Sequence, residues 1–126
     1  MTGLLCVGAG GALGAMGRYS LGLIPLGGEL PLMTLLINFL GSVAIGAIVE
    51  TSELAAGALP REAVLFLKVG LCGGFTTFST FSLETLELIE GGQYAIAGAY
   101  ALASVVLCVA GVLAGKMLTR ALMPTA

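Results

Sequence analysis

The side chains of this sequence most able to do chemistry crowd into ten positions, Gly73-Gly74-Phe75-Thr76-Thr77-Phe78-Ser79-Thr80-Phe81-Ser82. Between Thr76 and Ser82 five of seven side chains are hydroxyls and the other two are phenylalanines. The run lies inside a stretch, about Ala63 to Ile89, that otherwise reads as a membrane-spanning helix. Unsatisfied polar groups are costly in hydrocarbon, so these positions are expected to face water, an ion or protein. The hydroxyls and the Gly73-Gly74 pair favour a local break in the backbone ladder. A broken helix bares carbonyls on one half, able to hold a cation, and amides on the other, able to favour an anion. Phe78 and Phe81 are three apart and share a helix face. Their electropositive ring edges could meet an anion that a carboxylate would repel, although as packing aromatics they need no such role.

Two more spans carry polar stripes. Thr34, Asn38 and Ser42 follow one another at i, i+4 and i+8, one polar face on a greasy helix. An asparagine there serves as glue between helices or as a donor to a solute, and both readings stand. Tyr100, Ser104 and Cys108 repeat the spacing near the C-terminus; the plainer account is that Ser104 bonds to its own backbone and Tyr100 fills space. Arg18, in Gly17-Arg18-Tyr19-Ser20, is the one cation on its half of the bundle. It either snorkels to the interface or attracts anions, being permanently charged and rich in donors. Cys6, Cys72 and Cys108 have no paired spacing and no histidine to complete a metal site, so they read as buried small hydrophobes.

The elements that must position these groups follow from composition. Of 126 residues 58% are hydrophobic and 10% charged, and the mean hydropathy is +1.09, which places the chain among integral membrane proteins. At roughly 20 residues per span, the length accommodates a single all-α domain of four transmembrane helices, at about 3–24, 32–49, 63–89 and 94–118. Pro25, Pro31 and Pro60 fall between these segments and Pro124 in the tail, where a missing amide donor does no harm. The loops Pro25-Leu26-Gly27-Gly28-Glu29-Leu30-Pro31 and Glu90-Gly91-Gly92-Gln93 are short, which favours antiparallel neighbours. No Lys or Arg precedes Arg18, so the first span is expected to be retained rather than cleaved as a signal. An even number of spans puts both termini on one side with Arg61, Lys116 and Arg120, a lean towards cytoplasmic termini. Gly10 with Gly14, Gly70 with Gly74 and Gly111 with Gly115 let helices approach closely. Four short helices enclose too little interior for a wide pore, so subunits are expected to associate. A net charge of −2 implies no nucleic acid partner.

Gly73 to Ser82 followed by Leu83-Glu84, with Asn38-Phe39-Leu40-Gly41 and Gly17-Arg18-Tyr19, resembles the small fluoride channels of the Fluc/CrcB family over essentially the whole chain. The resemblance implies an antiparallel, dual-topology dimer of four-helix subunits with a broken third helix, carrying two narrow fluoride pathways in a bacterial plasma membrane. It implies a structural sodium ion at the dimer interface on the backbone carbonyls of Gly73 and Thr76 from both subunits. It assigns the fluoride pathway to Asn38, Phe78, Phe81, Ser79, Thr80, Tyr100 and Ser104, the vestibule to Arg18, and a gating or access position to Glu84. Cys108 is left outside, because a thiol is a poorer donor than a hydroxyl. Such a channel exports fluoride passively and confers fluoride resistance. The rival readings are a proton-coupled small multidrug exporter and a non-transporting membrane assembly subunit. The first would want an acid in span one and an aromatic cage, yet span one has no acid and the chain no Trp. Without His or Asp, no enzymatic constellation is present.

Overall fold

Glycine decides how the first helix packs in the computed structural model. The structure describes residues 1–26, 28, 30–55 and 59–123. Gly27 and Glu29 of the first loop, 56–58 of the second and Pro124 lie outside the described residues. Helix α1 (Thr2–Gly22) contains seven glycines. A Cβ at Gly10 would strike the Phe66 carbonyl, one at Gly14 the Leu71 carbonyl, and one at Gly74 the Gly11 carbonyl. The two glycine pairs therefore lie backbone on backbone, which fastens α1 to the first half of the third span.

The same device joins α2 (Leu32–Leu54) to α6 (Tyr94–Leu122). Gly46 lies against the Val112 carbonyl, Gly115 against the Val43 carbonyl, and Gly111 against the ring and carbonyl of Phe39. Two tight helix pairs result, α1 with the start of span three and α2 with α6.

Between them runs the third span. It starts after Pro60 as α3 (Arg61–Val64), continues as a π-helical segment, Leu65–Cys72, and ends as α4 (Gly73–Phe75). The chain then leaves the helix: Thr76 has φ −81° and ψ 157°, and Thr77 has φ −149° and ψ 111°. It resumes as α5 (Phe78–Glu90), which packs on α6. The break thus falls at Thr76-Thr77, after the Gly73-Gly74 pair expected to favour it. Both glycines are helical, and Gly74 is spent on the close approach to Gly11. The turn into α6 requires a glycine at Gly92, whose φ is 75°.

Among the described residues, Leu32–Leu54, Arg61–Glu90 and Tyr94–Leu122 are the three helical stretches long and apolar enough to cross a bilayer. Four were expected; α1 has the length, with 21 residues, but its glycines and Arg18 dilute its apolar content. The second and fourth helices also run past their expected ends at 49 and 118, to Leu54 and Leu122. There they meet in an ion cluster. Arg120 reaches Glu50 through Nε at 2.6 Å and Nη2 at 3.3 Å, and Lys116 Nζ lies 3.2 Å from both Glu50 and Glu53. The Glu50 side chain is only 3% exposed, so its partners neutralise a carboxylate that the fold has largely removed from water.

Candidate functional site

The site is built on the extended pair Thr76-Thr77. The extended backbone leaves the amide and carbonyl of Thr77 in need of partners, and Asn38 of α2 supplies them. Its Nδ2 donates to the Thr77 carbonyl at 3.1 Å, and its Oδ1 accepts from the Thr77 amide at 2.8 Å. The asparagine thus pairs with Thr77 as a neighbouring strand would, keeping one amide hydrogen free. The Thr76 amide and hydroxyl both donate to the Cys72 carbonyl, at 3.0 and 2.9 Å. Thr77 then caps α5, its Oγ1 accepting from the Thr80 amide at 3.2 Å and donating to Thr80 Oγ1 at 2.9 Å. On the other side of the break Arg18 Nε donates to the Gly74 carbonyl at 3.3 Å, where the negative end of a helix favours a cation.

Two cavities flank the break. One, of about 420 Å³, is lined by Asn38, Gly73, Thr76, Phe78, Phe81 and Ser104 among others, and so gathers most of the residues singled out in the sequence. The other, of about 440 Å³, holds Arg18, Thr80 and Glu84 with Thr34. Thr77 lines both. Ser79 is exposed beside Thr77, 3.3 Å between hydroxyls, and lines neither of these two cavities. Tyr100 is 1% exposed; it lies beneath the aromatic pair rather than in the groove.

Phe78, Phe81 and Tyr100 form a chain of rings with centroids 5.3 Å apart at each step and planes tilted by 46° and 50°, the tilted packing that ring quadrupoles prefer. Phe78 at its outer end is 77% exposed. Glu84 accepts from Thr34 Oγ1 at 2.7 Å and from Tyr100 Oη at 2.6 Å. Those bonds tie α2, α5 and α6 together and give Thr34 and Tyr100 a shared partner that their spacing alone did not suggest. Ser104 Oγ is buried without a hydrogen-bond partner among the described residues.

Among the groove residues that stood outside the sequence-based site are Thr77, Cys108 and Lys68. Cys108 lines the first cavity one turn beyond Ser104. Lys68 lines it too and is exposed. It is the one charge between Glu62 and Glu84, and that isolation in a greasy span is the signal that could have found it. No cluster of three or more His, Cys, Asp or Glu side chains able to hold a metal is found among the described residues.

Residues 5–116 match the family described as CrcB-like protein, Camphor Resistance (CrcB). The chain is 47% identical over 124 residues to the fluoride-specific ion channel FluC 1 of Nitrobacter hamburgensis, with 96% of this chain and 98% of that protein covered. It is 48% identical over 122 residues to the fluoride-specific ion channel FluC of Nitrobacter winogradskyi, covering 94% and 96%. The fluoride-specific ion channel FluC of Granulibacter bethesdensis is 47% identical over 125 residues, covering 97% and 98%. The resemblance carried by the span-three motif and the Asn38 and Arg18 segments is therefore borne out, and the chain belongs to the CrcB family.

Proposed function

We propose that this multi-pass membrane protein is a passive, fluoride-selective channel that lets cytoplasmic fluoride leave a bacterial cell across the plasma membrane. The observation that carries the reading is the first groove: an asparagine amide, a buried orphan hydroxyl and two phenylalanines converge beside a helix break inside the membrane-spanning bundle. Fluoride is small and hard, so its water can be replaced only by closely spaced donors. In the first groove the free Asn38 amide hydrogen, the Ser104 hydroxyl and the edges of Phe78 and Phe81 are such donors; in this reading the Thr80 hydroxyl of the second cavity and the exposed Ser79 hydroxyl extend the path beyond the groove, and larger halides are excluded. The Tyr100 hydroxyl is committed to Glu84, so in this reading Tyr100 braces Phe81 and Glu84 controls access. Arg18 has guanidinium donors beyond the one spent on Gly74 and lines the second cavity; in this reading its charge draws anions into a vestibule there.

The groove lacks a wall, and Phe78 at its edge is mostly exposed. A second copy in the opposite orientation supplies that wall in this proposal. The freed backbone suits a hard monovalent cation. The family resemblance puts a sodium ion on the carbonyls of Gly73 and Thr76, and in support the Thr77 amide, committed to Asn38, does not serve the Gly73 carbonyl as a helix would. In the same resemblance the partner contributes the same pair, so that four carbonyls replace part of the ion's water shell. The bound ion would hold the two breaks together.

The test is efflux from liposomes loaded with fluoride or chloride and polarised with a potassium ionophore. Fluoride release without chloride release, read on ion-selective electrodes, is the expected result. Equal chloride release, or none of either from well-folded protein, would defeat the reading.

A further inference from the structure

Lys68 lies at one end of the first groove, about 10 Å along the helix from Arg61. Among the described residues the ion pairs join Lys116 and Arg120 to Glu50 and Glu53, and none includes Lys68. An ionisable side chain at that depth in a span marks a cavity or an ion route. Chain direction orders the groove. Asn38, Ser42 and Ile45 on α2 and Ser104 and Cys108 on α6 both descend from the aromatic pair towards the side where the termini lie, and Lys68 closes that end. Ser104, 8% exposed with its hydroxyl unpartnered, stands between them. A buried hydroxyl without a partner and an unpaired ammonium on one cavity call for an anion between them.

We propose that Lys68 is the anion-collecting residue at the termini-side mouth of the fluoride path, concentrating fluoride there and passing it to Ser104. The proposal rests on the channel reading above. It divides the labour between two cations on opposite sides of the break, since Arg18 lines the other cavity and is tied to Gly74.

Fluoride efflux is measured for the wild-type chain, Lys68→Met, Lys68→Arg and Lys68→Glu at fixed fluoride and fixed potential. Impermeant salt sets the ionic strength at about 10 mM or about 300 mM, where screening lengths are about 30 Å and about 6 Å. Lys68→Met is expected to lose about tenfold in rate at low salt and about twofold or less at high salt, because the loss is of charge focusing. Lys68→Arg is expected to keep the wild-type rate, and Lys68→Glu to fall below Lys68→Met. A Lys68→Met rate equal to wild type at both salts, or an equal loss at both, overturns the proposal while leaving the channel reading in place. A wild-type chain that passes no fluoride overturns both. If Lys68→Met does not fold, Lys68→Gln makes the same comparison.

Discussion

Asn38 holds backbone before it holds any solute. Both ends of its amide are engaged with Thr77, so the residue that reads as a pathway donor also keeps the break extended. Removing it should therefore cost more than conductance. Asn38→Ala deletes two hydrogen bonds and leaves a half-buried amide without a partner, a loss of about 2–3 kcal/mol. A lowered unfolding midpoint in detergent together with reduced fluoride flux is the expected outcome. Unchanged melting would show that Thr77 does not depend on it. Glu84 is similarly committed, held on one oxygen by Thr34 and on the other by Tyr100, so any movement of Glu84 must first release a neighbour on α2 or α6.

In the third span two adjacent glycines have opposite surroundings. Gly74 is pressed on the Gly11 carbonyl, whereas a Cβ on Gly73 would meet nothing within 4 Å in the single chain. Gly74→Ala is accordingly expected to push α1 away and to abolish folded protein. Gly73→Ala should leave the single-chain fold intact and act only where another molecule comes close. The comparison is a pair of thermal melts and size-exclusion profiles, with sodium and with potassium. Sodium-dependent weakening of association in Gly73→Ala alone is the expected signature of a shared cation site. Identical behaviour of the two variants would remove that distinction.

Across the molecule the large apolar side chains are mostly turned outward, as in Leu4, Leu5, Leu102, Val109 and Leu122, and the polar break opens on the same outer surface at Phe78. Lipid suits the leucines and valines; it does not suit Asn38, Thr76 and Lys68. A groove that carries these polar groups among apolar walls and has an open side should therefore be covered by protein. Purified protein in mild detergent is expected to run as a dimer in light-scattering chromatography. A monomer that still conducts fluoride would rule out the proposed second wall. The ion cluster at the termini-side end bears on how the two copies can lie. Lys116 and Arg120 are matched there by Glu50 and Glu53, so two of the cations counted for a cytoplasmic bias are neutralised in the folded chain.

Helix number, apolar character, the existence of an interruption in span three and the family were legible in the residues. They depend on local rules: hydropathy over a span, glycine and hydroxyl clustering, and a ten-residue motif. The place of the break was not legible, because it is set by a partner 39 residues away in sequence: Asn38 offers Thr77 the bonds that a helix would have supplied. Nor could spacing separate the polar residues into two cavities on opposite sides of that break, bury Tyr100 under Phe81, or bring Lys68 onto the groove. A stripe at i and i+4 states which residues share a face. Which neighbour that face meets is decided only when backbones approach closely enough, at Gly10, Gly14, Gly46 and Gly115, for the helices to choose their partners.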